Sequence, residues 1–161
     1  MSETPDNLEE LHAAMADEDA DIVKIATMAN SFADNLRMVE LVRNAKVPTI
    51  GICMGEIGVI TRLLANRLGS PFTYATFSGG RKMAPGQLDW KEMRDLYKYE
   101  TIDEETEFFG VVADPVAHSY SPLIHNKAFA EKGLNARYFP FRVPKNDLSN
   151  LVDSCAALNI S

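Results

Sequence analysis

Apolar residues along this chain alternate between helical spacing and short unbroken runs, so helices and strands are expected to follow one another from end to end. Thr4-Pro5 forms an N-cap and N1 pair, and Leu8, Leu11, His12 and Met15 behind it share one helical face. The β-branched run from Asp21 to Ala26 reads as a buried strand. A second helix spans about Ser31 to Ala45, with Leu36, Val39, Leu41 and Val42 as its apolar set. Strands are expected at Pro48 to Met54 and at Pro71 to Thr76, with a helix from Ile57 to Leu68 between them. A loop from Ser78 to Gln87 and a helix from Asp89 to Tyr97 end this series. Residues 98–106 are polar and acidic and read as a linker or domain junction. The rhythm then restarts with a strand at Phe108 to Ala113, a helix at Ser121 to Lys132, a strand at Ala136 to Val143 and the beginning of a helix from Asp147 to Leu158.

Strands this apolar, separated by helices, imply parallel sheets covered on their faces, because parallel neighbours need crossover connections. Composition agrees with a folded α/β protein: 46% of residues are hydrophobic and 24% charged. The net charge of −7 is concentrated at the start, where residues 1–21 carry eight acidic residues and no Lys or Arg. Such a chain lacks the basic stripe of a nucleic-acid binder and is a poor partner for anionic membranes. A small anionic substrate is compatible, since one well-placed arginine can hold it. Cys53 and Cys155 lie far apart without metal-ligand spacing, which argues against a disulfide framework or zinc site and suits a reducing cytoplasm. No stretch approaches the roughly 18 apolar residues of a membrane helix.

Three features stand out chemically. Lys24 interrupts the run Ile22-Val-Lys-Ile-Ala26. One reading is a strand-end lysine that snorkels to water; the other is a partly desolvated amine able to attack a carbonyl and form an imine. Met54-Gly-Glu-Ile-Gly-Val-Ile-Thr-Arg62 places glycines after a strand and an arginine in the following helix. That serves either close packing or the seating of a carboxylate. Ala84-Pro-Gly-Gln87 is either a plain turn or a loop closing over a pocket, with the Gln87 amide offered to hydroxyls. In a (β/α) barrel, residues at or beyond the C-terminal ends of successive strands converge on one site, and Lys24, Arg62 and Gln87 follow that order.

Lys24-Ile-Ala, then Met54-Gly-x-x-Gly-x-x-Thr-Arg62, then Ala84-Pro-Gly-Gln87 resembles the C-terminal part of the type I 3-dehydroquinate dehydratases, over roughly residues 3–98. The resemblance implies a Schiff base between Lys24 and the ketone of 3-dehydroquinate, with Arg62 on its carboxylate and Gln87 on a ring hydroxyl. No cofactor is implied for this part. Met83 stands where the family usually has serine, and none of His12, His118 or His125 occupies the place of the family's acid/base histidine. His12 reads as an ordinary residue of the first helix. Another Schiff-base lysine barrel, of the aldolase class, and a non-catalytic binder of cyclic carboxylates are the alternative readings.

Asp114-Pro-Val-Ala-His-Ser-Tyr-Ser-Pro-Leu-Ile-His-Asn126 carries a second signal. Ser119 and Ser121 are either turn and capping residues or two hydroxyls cradling a carboxylate at a helix N-terminus. The run is similar to the N-terminal substrate domain of shikimate dehydrogenases. The resemblance implies that Ser119 and Ser121 bind the carboxylate of shikimate or 3-dehydroshikimate, and that the complete dehydrogenase uses NADP. No G-x-G-x-x-G follows a strand within these residues. The expected fold is therefore α/β: residues 1–98 as the last three strands of a (β/α)₈ TIM barrel, 99–106 as a linker, and 107–161 as the start of a dehydrogenase substrate domain. Three strands do not close a barrel, so unpaired sheet edges and self-association are expected, and with them an inactive isolated chain.

Overall fold

The structure, a computed structural model, describes residues 2–77, 86–158, 160 and 161. Helix α1 (Leu8–Ala16) leads into strand β1 (Val23–Met28), helix α2 (Ala33–Asn44) and strand β2 (Thr49–Met54). The strands run parallel, with Val23 opposite Thr49 and Met28 opposite Met54, so α2 is the crossover that parallel pairing requires. Gly51 allows α2 to lie directly on β2: a Cβ there would sit 2.4 Å from Val42 Cγ2 and 2.7 Å from Met38 Sδ. Val23, Ile25 and Thr27 are buried on β1, whereas Lys24 on the opposite face is exposed. Thr27 is further tied to the N-terminal segment by a 2.8 Å hydroxyl contact with Thr4.

The α2 N-terminus draws its hydrogen-bond acceptors from two sources. Asp34 accepts from the Asn30 and Ser31 N–H groups at 2.9 Å each. Asp147, far along the chain, accepts from the Phe32 N–H at 2.5 Å. These carboxylates satisfy donors that a helix start leaves without intrahelical partners.

The strand expected at Pro71 to Thr76 does not form. Thr76 makes only an isolated bridge to Asp89, with its N–H on the Leu88 carbonyl at 2.8 Å and its own carbonyl accepting from Trp90 at 2.9 Å. Phe72 and Tyr74 are left exposed, so their local β propensity finds no neighbouring strand to bury against. The first sheet among the described residues thus has two strands rather than three. After β2 comes helix α3 (Val59–Leu64), and the expected Asp89 to Tyr97 helix contains a π turn at Glu92–Leu96, closed by Tyr97 N–H on the Glu92 carbonyl at 3.2 Å.

Strand β3 (Glu107–Ala113), helix α4 (Ser121–Lys132) and strand β4 (Ala136–Arg142) form a second parallel unit, with Glu107 opposite Ala136. Gly133, at φ 66°, ends α4 in the left-handed conformation. A 3₁₀ turn (Lys145–Asp147) enters helix α5 (Leu148–Leu158). One apolar cluster runs from Phe32, Val39 and Leu63 through Tyr97 and Ile102 to Phe108, Phe139, Phe141 and Leu151. The polar stretch after Tyr97 is therefore packed: Ile102 and Thr106 are buried, Asn66 donates to the Ile102 carbonyl at 2.8 Å and Arg67 to that of Thr106 at 3.1 Å. The buried Arg137 donates to the carbonyls of Tyr97 and Ala136 at 2.7 Å each and to the Thr101 hydroxyl. Among the described residues no helix is long and apolar enough to cross a membrane.

Candidate functional site

The turn after β2 is tied at both ends. Gly55 has φ 89°, a region that favours glycine, and a Cβ on Gly58 would lie 2.3 Å from the Cys53 carbonyl oxygen. The Thr61 hydroxyl accepts from the Cys53 N–H at 3.0 Å and donates to the Gly58 carbonyl at 2.8 Å. From α2, the Asn35 side-chain amide donates to the Ile57 carbonyl at 3.0 Å. These contacts fix the entry to α3 and hence the position of Arg62.

Arg62 is 3% exposed. Its Nη1 lies 3.5 Å from the Tyr74 carbonyl oxygen, while its buried Nε has no partner among the described residues. Burial lowers the guanidinium pKa from its ordinary value. α3 has only six residues, so the positive charge presented here is the guanidinium fork of Arg62 and not a helix dipole.

Lys24 departs from the barrel expectation in its place on the strand: it is the second residue of β1, paired with Ile50, and so lies near the start of the strand and not its C-terminal end. Its exposure agrees with a lysine that reaches water and not with a desolvated amine, and its Nζ lies 4.4 Å from the centroid of the Tyr74 ring. Tyr74 nevertheless joins the two cations, its ring beneath the Lys24 amine and its carbonyl beside Arg62.

Gly86, at φ 75°, rests on the β2 turn so closely that a Cβ would fall 2.1 Å from the Gly55 carbonyl oxygen. This contact brings the half-buried Gln87 to the same end of β2 as the Arg62 turn. Met83, Ala84 and Pro85 lie outside the described residues. The buried His12 contacts the Thr49 hydroxyl at 2.7 Å, at the start of β2 and thus at the opposite end of that strand from Gly55.

Ser119 and Ser121 lie together at the start of α4, the Ser121 N–H donating to Ser119 Oγ at 3.3 Å, and both residues are half-buried. Asn126 locks α4 onto β4, its amide donating to the Tyr138 carbonyl and its Oδ1 accepting from the Tyr138 N–H, both at 2.8 Å. The serine pair belongs to the second sheet unit and the Lys24, Arg62 and Gln87 set to the first. Arg142 bridges the two loops, with Nη1 2.9 Å from Glu56 and Nε 2.9 Å from Asp114. Tyr74, Asn35, Arg142 and Asp147 are the residues that the sequence did not single out; an aromatic facing the lysine's strand was the one signal available for Tyr74. Among the described residues, no group of three or more His, Cys, Asp or Glu is placed to hold a metal ion.

The model of the type I 3-dehydroquinase family matches residues 1–104. The chain belongs to that family. Residues 111–161 match the shikimate dehydrogenase substrate binding domain, so this 3-dehydroquinase-family chain joins parts of two enzymes. It is 41% identical over 133 residues to the chloroplastic bifunctional 3-dehydroquinate dehydratase/shikimate dehydrogenase of Arabidopsis thaliana, a match covering 83% of this chain and 22% of that protein. The shikimate biosynthesis protein AroDE of Chlamydia pneumoniae is 29% identical over 138 residues, covering 86% of this chain and 29% of that one. The chain therefore spans less than a third of either relative. The solved 3-dehydroquinate dehydratase of Geobacillus kaustophilus HTA426 superimposes with a TM-score of 0.51 at 28% identity, covering 59% of this chain and 37% of that one.

Proposed function

We propose that residues 1–98 carry the Schiff-base and carboxylate-binding residues of a 3-dehydroquinate dehydratase, and that residues 107–161 carry the carboxylate cradle of a shikimate dehydrogenase, with 99–106 joining them. The observation that carries this reading is the meeting of Lys24 and Arg62 at Tyr74, with one Arg62 donor buried and unused. A buried guanidinium without an anion is costly, and a substrate carboxylate supplies the missing acceptor.

The neutral Lys24 amine attacks the ketone carbon, and loss of water leaves an iminium. The iminium withdraws electrons from the neighbouring carbon, a base removes a proton there, and the β-hydroxyl departs as water. Hydrolysis of the imine returns the amine and releases 3-dehydroshikimate. Arg62 holds the carboxylate and Gln87 a ring hydroxyl throughout. His12 is committed to Thr49 and does not serve as the base. Ser119 and Ser121 receive the carboxylate of shikimate or 3-dehydroshikimate. NADP belongs to the complete dehydrogenase, and these residues contain no dinucleotide fingerprint.

The isolated 161-residue chain does not turn over, because the exposed Lys24 retains its hydration. Each strand of the two-stranded sheet has an open edge among the described residues, which favours self-association. We assign the chain to the cytoplasm on the two free cysteines, although the Arabidopsis relative is named as chloroplastic.

Borohydride reduction with 3-dehydroquinate, followed by peptide mass mapping, tests the reading on this chain and on the chain complemented with the remaining barrel segments of a relative. An adduct confined to Lys24, strengthened by the added segments and lost in Arg62→Ala, is expected. Labelling spread evenly over surface lysines in the complemented protein overturns it. The exposure of Lys24 favours one second reading, a binder of cyclic carboxylates without imine chemistry, which predicts ligand binding through Arg62 and no adduct at all.

A further inference from the structure

We propose that the dehydrogenase-like segment supplies two positioning residues, Asp147 and Arg142, to the dehydratase-like turn that presents Arg62. The functional meaning rests on the assignment of Arg62 to the dehydroquinate carboxylate; the mechanical claim stands on the contacts alone.

Residues Gly55 to Gly58 reverse the chain between β2 and α3 and begin with a glycine at φ 89°. Such a turn has little rigidity of its own, so its position depends on what grips it. Two grips originate in residues 111–161 and arrive from different sides. The first is buried. Asp147, 5% exposed, accepts from the Phe32 N–H through Oδ2 and from the Asn150 amide through Oδ1 at 2.6 Å, so both of its oxygens are engaged. It thereby fixes the first turn of α2, where the Phe32 carbonyl accepts from the Asn35 N–H at 3.1 Å. Asn35, fully buried, holds the Ile57 carbonyl at 3.0 Å. The route thus runs from Asp147 through Phe32 and Asn35 to Ile57 across one continuous set of contacts.

The second grip is on the surface. Arg142 donates to Glu56, the residue before Ile57, and through its other nitrogen to Asp114, which heads the loop leading to Ser119. Ile57 itself packs against both apolar clusters of the molecule. Each grip is anchored more than 80 positions away in sequence. The two differ in strength in a predictable way. A buried hydrogen bond to a charged group contributes enough to change a local opening equilibrium about tenfold or more. An exposed ion pair changes it about two- to fivefold.

Amide hydrogen exchange on the full chain, read by mass spectrometry, tests the proposal. Exchange across residues 55–62 should accelerate about tenfold in Asp147→Ala, less in Asp147→Asn, which keeps an acceptor without charge, and about two- to fivefold in Arg142→Ala, with Arg142→Lys restoring part of the loss. Exchange in β1 should not change. The affinity for 3-dehydroquinate should fall in the same order. If Asp147→Ala does not fold, Asp147→Asn and Arg142→Ala decide. The proposal is overturned if both leave residues 55–62 at the parental rate, or if exchange rises there only in proportion to that in β1. Failure of the parent chain to bind 3-dehydroquinate would remove the reading of Arg62 and leave the exchange result to decide this inference by itself.

Discussion

Replacing Arg62 by methionine should stabilise the chain while abolishing its ligand response. Arg62 is 3% exposed, reaches one carbonyl at the long distance of 3.5 Å and leaves its Nε unpartnered. An unsatisfied buried donor costs about 1–3 kcal/mol, and more when it is charged. Methionine keeps an unbranched apolar stem in the same space and removes the charge. The free energy of unfolding should therefore rise by about 1–3 kcal/mol, measured by urea denaturation with unchanged slope. For a chain of this size that corresponds to about 2–4 °C in Tm per kcal/mol. Addition of 3-dehydroquinate at about 100 times its Kd should raise the parent's stability by about 2.7 kcal/mol and leave the variant unmoved. The two proteins thus exchange rank between ligand-free and ligand-saturated conditions wherever the substitution gains less than about 2.7 kcal/mol. A ligand-free variant less stable than the parent, at equal slope, would refute the reasoning, because the guanidinium would then be contributing more contact energy than its burial costs.

Three further outcomes follow from the same coordinates. Burial raises the Cys53 thiol and the Tyr99 phenol to about 12 and pushes Tyr97 up as well. The unfolded chain loses these protons from about pH 9 to 10 upward while the folded chain keeps them, so stability falls as pH rises toward 12; urea midpoints should decline across this window, and Cys53→Ala should flatten part of the slope. His12→Leu should lower stability by about 1 kcal/mol through loss of the Thr49 contact, yet leave borohydride labelling at Lys24 unchanged, as mass mapping will show. Gly86→Ala would place a Cβ 2.1 Å from a backbone oxygen at φ 75°. The Gln87 segment must then move by about 1 Å, which should slow adduct formation at Lys24 by as much as about 100-fold.

What was legible in the sequence is what neighbouring residues decide. Helix α4 was bounded correctly because Pro122 stands in its first turn and Gly133 takes the left-handed conformation at its end. The run at Phe72 to Tyr74 misled because β propensity is local whereas pairing is not: among the described residues Thr76 alone makes an isolated bridge, to Asp89, and Phe72 to Tyr74 join no strand. The π turn at Glu92–Leu96 shifts the hydrogen bonding by a single residue, which apolar spacing does not register. Residues 98–106 read as a polar connection, yet Ile102 sits in the common core with Tyr99 packed against it. Asp147 and Arg142 gave no signal, since their partners Phe32 and Glu56 are specified only by the folded chain.

The same distinction separates binding from chemistry at the candidate site. The surroundings of Arg62 are assembled largely by residues 53–74: the Thr61 clasp, the Gly55 to Gly58 turn and the Tyr74 carbonyl. A short segment therefore suffices to bury a guanidinium and leave its Nε without an acceptor among the described residues. Lys24 is different, because it projects from the face of β1 opposite the buried Val23, Ile25 and Thr27. Imine formation needs the neutral amine, and desolvation is what favours that form. Among the described residues the Tyr74 ring lies against the Lys24 amine, its centroid 4.4 Å from Nζ. If Arg62 seats the carboxylate as proposed, covering that face of β1 should strengthen adduct formation at Lys24 without changing the affinity for 3-dehydroquinate, as borohydride labelling and a binding titration would show.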